Sequence, residues 1–140
     1  MRMCARGIEQ KPRETTVRQK IQTDHAPVAI GPYSQAIKTE SFVYTSGQLG
    51  IDPETDKLQE GVEAQAKQAM KNLATVLEEA GSSIDQIVKT TIFLADLGDF
   101  ATVNEIYGEP FTGEPPARST VQVAALPLGG AVEIEAIALV

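Results

Sequence analysis

The chain has 140 residues, 42% of them apolar, with no tryptophan and a net charge of −7; this suffices for one domain with a real core. A sequence pI near 4.7 disfavours nucleic acid and anionic lipid as partners, and no apolar run is long enough to span a bilayer. One cysteine, Cys4, and one histidine, His25, exclude an internal disulfide and a cysteine or histidine metal cluster, so any catalysis rests on carboxylates, hydroxyls, arginine and backbone groups unless His25 itself serves.

Charge is unevenly spread. The first 20 residues carry six Lys/Arg against Glu9 and Glu14, while the remaining 120 carry six basic and seventeen acidic side chains. Residues 1–16 are expected to form a flexible basic extension, and residues 17–140 the folded domain. The extension lacks the apolar run of a secretory signal. Its arginines resemble an organellar transit segment, while Glu9 and Glu14 argue against one. The expected location is cytoplasmic, or organellar if the extension is an address.

Along the chain, Thr16–Thr23 alternates weakly and reads as a first strand. Ala26-Pro27 and Gly31-Pro32 bracket a turn. Tyr33–Lys38 and Ser41–Thr45 read as a hairpin around Thr39-Glu40, and Gly47–Gly61 as a loop with an Asp52-Pro53-Glu54-Thr55 turn. Over Gly61–Ala80, Val62, Ala66, Met70, Leu73, Leu77 and Ala80 recur at three- and four-residue steps, a helix with Gly81 as its C-terminal cap. Ile87–Leu94 is rich in β-branched residues and reads as a central strand. Asp99 is expected to cap a short helix through Tyr107, with Phe100, Val103 and Tyr107 on one face. A Pro/Gly-rich loop, Gly108–Pro116, leads to a strand over Arg118–Ala124. Pro127–Gly130 turns the chain, and Val132–Leu139 is the last strand, with Glu133, Glu135 and Ile137 opposite Val132, Ile134, Ala136 and Ala138. This order predicts an α+β class: a mixed sheet with two helices packed on one face. The other face is left small and apolar, which predicts a homo-oligomer.

Several side chains are candidates for chemistry. Arg118 stands behind Pro115-Pro116, and a stiffly held guanidinium is a fork for a small carboxylate or phosphate; a surface salt bridge is the competing reading. Glu133 and Glu135 share one face of the last strand. Either is a candidate base for activating water, or both are solvated charges that deter edge-to-edge association. Tyr33 follows the restrained Gly31-Pro32 turn and offers a pocket wall and a hydroxyl. Ser46 precedes Gly47, where backbone can be approached closely. Asn104 on the short helix either completes a site or satisfies local backbone. The backbone N–H groups of Gly47 and Thr120 are candidates to hold an anion.

Six stretches together carry a family likeness: Ala29-Ile30-Gly31-Pro32-Tyr33-Ser34-Gln35-Ala36, Thr45-Ser46-Gly47-Gln48, Val88-Lys89-Thr90-Thr91-Ile92-Phe93-Leu94, Asp99-Phe100-Ala101-Thr102-Val103-Asn104, Pro116-Ala117-Arg118-Ser119 and Val132-Glu133-Ile134-Glu135-Ala136. With these, the chain resembles the RidA (YjgF) family of enamine/imine deaminases from about Val17 to Val140. The resemblance implies a chorismate-mutase-like fold, a homotrimer closed as a barrel with sites between subunits, and no metal or organic cofactor. It implies hydrolysis of reactive 2-imino acids to 2-keto acids and ammonia. Arg118 would grip the substrate carboxylate with Tyr33, Gly47 and Thr120, Glu133 would activate water, and Ser46 and Asn104 would complete the site. Many members have cysteine where this chain has Thr120, and the loop before Arg118 is shorter than in some. The expected partners are small 2-imino or 2-keto acids, with no membrane and no nucleic acid. A carboxylate-binding sensor and a chaperone-like or translation-inhibiting trimer are the alternatives.

Overall fold

The computed structural model describes residues 18–140. The basic extension, Cys4 and the start of the expected Thr16–Thr23 strand lie outside the described residues. The elements run β1 (Gln19–Ile21), β2 (Ala36–Lys38), β3 (Phe42–Thr45), β4 (Gln48–Leu49), β5 (Ile51–Asp52), β6 (Lys57–Leu58), α1 (Val62–Glu79), β7 (Ile87–Leu94), α2 (Phe100–Gly108), β8 (Ala117–Gln122) and β9 (Val132–Leu139).

The main sheet has the order β1-β2-β3-β9-β7-β8, with β4 also pairing β9. Only β7 and β8 pair in parallel; α2 and its flanking loops supply the crossover that a parallel pair needs. The sheet is therefore mixed, and the α+β expectation holds. Both helices lie on one face. Alternation along β9 turns Val132, Ile134, Ala136 and Ala138 under them and leaves Glu133, Glu135 and Ile137 on the other face, as a strand period of two requires. Leu73, Val76 and Leu77 of α1 meet Ile92, Leu94 and Ile134 of the sheet in a fully buried core. Removing one such side chain, as in Leu73→Ala, costs about 2–5 kcal/mol.

The end of α1 follows its sequence. Gly81 has φ of 80°, its N–H donates to Glu78 O at 3.0 Å, and Ser82 N donates to Leu77 O at 2.8 Å. This is the paired cap in which a left-handed residue closes the last carbonyls.

Other expectations need correction. The segment Gly47–Gly61 is not a plain loop: β4 adds to β9, and β5 and β6 form a small antiparallel pair. Two-residue strands leave no periodic signature. Tyr33 lies in a loop, because pairing of β2 begins only at Ala36. β8 begins at Ala117 and ends at Gln122 rather than Ala124. Asp99 makes no side-chain cap for α2; instead Asp96 Oδ1 accepts from Gly98 N at 2.7 Å in the single turn that precedes it. Val103 and Tyr107 are buried as expected, but Phe100 is 40% exposed.

On the helix-free face, the register sets Lys20, Ile37, Tyr44, Ile137 and Lys89 side by side across five strands. Tyr44 and, further along, Val121 are exposed apolar side chains. The expectation of a small, apolar face is therefore corrected: Lys20, Lys89, Glu133 and Glu135 share it with the apolar side chains.

Candidate active site

The predicted site residues fall into two groups on opposite faces of the sheet. The first is a corner between β8 and α2. Thr90 of β7 is opposite Arg118 of β8, and Thr90 faces the helices, where its hydroxyl meets Tyr107 Oη of α2 at 2.7 Å. Arg118 therefore projects to the helix side. Its Nη1 donates to Asn104 Oδ1 at 2.6 Å, and its guanidinium lies 5.0 Å from the Tyr107 ring centre and 5.5 Å from that of Phe100. All these partners are neutral, and Arg118 has no carboxylate partner among the described residues. Asn104, Tyr107, Phe111, Pro115, Pro116 and Arg118 line an open cavity of about 520 Å3. Phe111 packs on Tyr107 with ring centres 5.0 Å apart, so the proline-rich loop is anchored to the same helix. Among the described residues no carboxylate pairs with Arg118: neutral groups hold the cation in place, which leaves guanidinium donors open to an anion.

Thr120 follows two residues later and shares the face of Arg118 by alternation. Its Oγ1 is buried and makes no hydrogen bond among the described residues.

The second group lies around β4 and β9. Glu133 is opposite Phe93 and so occupies the helix-free face. Its carboxyl lies directly over Gly47: a Cβ built there would sit 1.9 Å from Glu133 Oε1, so only glycine admits this close approach. Burial, and secondarily the charge of Glu135 on the same face, raise the Glu133 carboxyl above its ordinary pKa, as expected when an ionised form is desolvated and repelled.

Beside Gly47, Ser46 donates its hydroxyl to Ser34 O at 2.5 Å, and its N–H to Gln35 O at 2.9 Å. The serine ties two loops together and keeps only acceptor capacity for a ligand. Tyr33 is 52% exposed, its hydroxyl accepting weakly from Ile30 N at 3.4 Å. Tyr33 and Ser46 line one open cavity of about 620 Å3 together with Arg18, Lys20 and Tyr44.

Three buried amides that the sequence reading missed hold this second group in place. Gln35 accepts from Thr23 N at 2.8 Å and donates to Thr23 O at 3.1 Å and Pro27 O at 2.8 Å, which fixes the loop carrying Tyr33. Asn72 of α1 donates to Leu49 O at 3.0 Å and Ile51 O at 2.8 Å, clamping β4 beside Gly47. Gln65 accepts from Ala131 N at 2.8 Å, just ahead of β9. The available signal was that Gln65 and Asn72 fall seven residues apart, beside the apolar stripe of α1, where a buried amide must find backbone partners.

One copy therefore brings Arg118 to Asn104, and Glu133 to Gly47, but does not bring the two groups together. The described residues contain no helix long and apolar enough to cross a membrane.

Known proteins are similar to this chain over most of its length. The family model described as Endoribonuclease L-PSP matches residues 23–140. The mouse (Mus musculus) 2-iminobutanoate/2-iminopropanoate deaminase is 54% identical over 124 residues, 88% of this chain and 92% of its own. The crystal structure of RidA from the Antarctic bacterium Psychrobacter sp. PAMC 21119 superposes with a TM-score of 0.86 at 53% identity, covering 88% of this chain and all of that one. E. coli TdcF with bound serine superposes with a TM-score of 0.84 at 42% identity, covering 87% and 98%. Because the family model matches residues 23–140 and relatives more than 50% identical cover most of the chain, the chain belongs to the L-PSP family, the family of RidA and YjgF.

Proposed function

We propose that this protein is a 2-iminobutanoate/2-iminopropanoate deaminase, which hydrolyses reactive 2-imino acids to 2-keto acids and ammonia. The observation that carries this reading is Arg118: a guanidinium fixed at 2.6 Å by a neutral amide, without a carboxylate of its own among the described residues. A small 2-imino acid offers a carboxylate to exactly such a fork, and a relative at 42% identity has been crystallised with bound serine, a molecule of the same size and charge pattern.

In this reading Arg118 binds the carboxylate, helped by backbone N–H groups at Thr120 and Gly47, and Tyr33 walls the pocket. A carboxylate with a raised pKa serves as a base nearer to neutrality than an ordinary glutamate, which suits Glu133. Glu133 takes a proton from water as the water oxygen bonds to the imine carbon and the C=N π bond opens, and it passes that proton to the imine nitrogen, giving the aminol. Glu133 then takes the aminol O–H proton and hands it to the nitrogen as the C–N bond breaks, which forms the keto group, releases ammonia and restores the carboxylate. The reaction needs no redox partner, and positioning of water and imine accounts for the first part of the acceleration. Ser46 and Asn104 organise the two halves rather than react.

Because Arg118 and Glu133 lie on opposite faces of one sheet, a shared site needs a second copy. A homotrimer of the chorismate-mutase-like type, with the helix-free faces turned inward, would supply it and would cover Tyr44 and Val121. In that assembly residues 17–140 form the working domain, residues 1–16 an extension, and the location is cytoplasmic. The test is a coupled assay in which a dehydratase generates 2-aminoacrylate from serine and pyruvate release is followed. Acceleration by wild type, lost in Arg118→Ala and in Glu133→Ala, supports the reading. Pyruvate binding without acceleration would make the site a carboxylate sensor and overturn it.

A further inference from the structure

Phe100 is a large aromatic residue left 40% exposed at the start of α2, and Tyr107 spends its hydroxyl on a buried threonine; neither is used in the mechanism above. Phe100, Asn104 and Tyr107 are spaced four and three residues apart on one helical stripe, and all three meet the Arg118 guanidinium. We propose that this stripe is a neutral cradle whose aromatic members, Phe100 and Tyr107, are positioning residues that set the strength of carboxylate binding through Arg118. Ring faces attract a cation without neutralising it. An acidic partner would hold the guanidinium as firmly but would compete with the substrate for the same donors. Thr90 belongs to the device: buried at 1% exposure, it anchors Tyr107 from the strand that pairs with β8 and so ties the ring to the backbone that carries Arg118. This inference rests on the deaminase reading for its substrate but not for its geometry.

The experiment is a double-mutant cycle in the coupled assay. Phe100→Leu, Tyr107→Leu and Tyr107→Phe are each made alone and with Arg118→Ala. Loss of either ring is expected to raise KM for 2-iminopropionate about three- to tenfold, the range of one cation–π contact, with kcat little changed because the carboxylate is bound equally in ground and transition states. Tyr107→Phe keeps the ring and is expected to restore KM while lowering Tm. With Arg118→Ala, the ring losses are expected to add nothing. Ring variants that fold but leave KM unchanged, or that lose as much activity without Arg118 as with it, overturn the cradle. If Tyr107→Leu does not fold, the half-exposed Phe100 decides alone. If wild type releases no keto acid, the deaminase reading fails by itself. The cycle is then read as pyruvate affinity by calorimetry, and equal affinities across the ring variants overturn the cradle.

Discussion

The corner of β8 and α2 and the patch around Gly47 and Glu133 solve opposite electrostatic problems. At the corner, a permanent cation is kept free of counter-charge: an amide and two ring faces hold Arg118. At the patch, a carboxylate resting over a glycine is partly buried and, secondarily, faces the charge of a second glutamate, so that its ionised form is disfavoured. One region stores an uncompensated charge, and the other makes charge costly. An anion binder and a proton acceptor have these respective requirements, and the sheet keeps them apart, so that Arg118 does not simply neutralise Glu133 within one copy.

The largest effect should come from the patch. Glu133→Gln is isosteric and removes the base, and kcat is expected to fall about a hundredfold or more, as measured in the coupled assay. The same change is expected to raise Tm at neutral pH. The sign follows from linkage: a carboxyl whose folded pKa is raised contributes stability at low pH that is lost as pH rises through that pKa, and glutamine never ionises. A fall in Tm alongside the loss of rate would show that Glu133 is a structural partner rather than a strained base.

At the corner, Arg118→Ala is expected to lower kcat/KM about thirty- to a hundred-and-fiftyfold, for ~2–3 kcal/mol of charge-assisted hydrogen bonding, mainly through KM. Asn104→Asp sharpens the contrast. It preserves shape but puts a carboxylate at the 2.6 Å contact, and KM is expected to rise more than in Asn104→Ala. An aspartate that proves harmless would mean that the neutrality of the corner has no function.

Gly47→Ala is expected to cost about tenfold in kcat, because the new methyl displaces the Glu133 carboxyl, a flexible group that can swing aside. Unchanged thermal unfolding with reduced turnover would confirm that only the carboxyl has moved. The smallest effect is a shift in the acidic limb of the pH–kcat/KM profile, which reports the free enzyme. In wild type this limb should lie above the ordinary glutamate range, and Glu135→Gln should move it down, because the charge of Glu135 is one cause of the raised Glu133 pKa. An unmoved limb would detach the profile from Glu133.

Much of this design was legible in the sequence where the signal is local. The apolar stripe over Val62–Ala80, the glycine at its end and the alternation of Val132–Leu139 each restate a backbone geometry, with periods of 3.6 and two residues, and they reappear nearly residue for residue. The two-residue strands within Gly47–Gly61 carry no period, so that the sequence alone cannot distinguish them from loop. Asp99 looked like a cap, yet Asp96 does the capping, because the chain makes a single turn before α2 that composition does not announce.

The sequence by itself determined the mixed α+β class, the sidedness of β9 and which side chains could serve chemistry, because these depend on residue type and on neighbours a few positions away. Only the tertiary structure decided that Arg118 lies among Asn104, Tyr107 and Phe100 without an acid, that Glu133 rests on Gly47, and that the two face opposite ways. Those facts follow from strand register and from buried amides such as Gln35 and Asn72, whose backbone partners named above stand 8 to 23 residues away in the chain. Pairings at that distance are fixed by the packing of the whole core and not by any one segment.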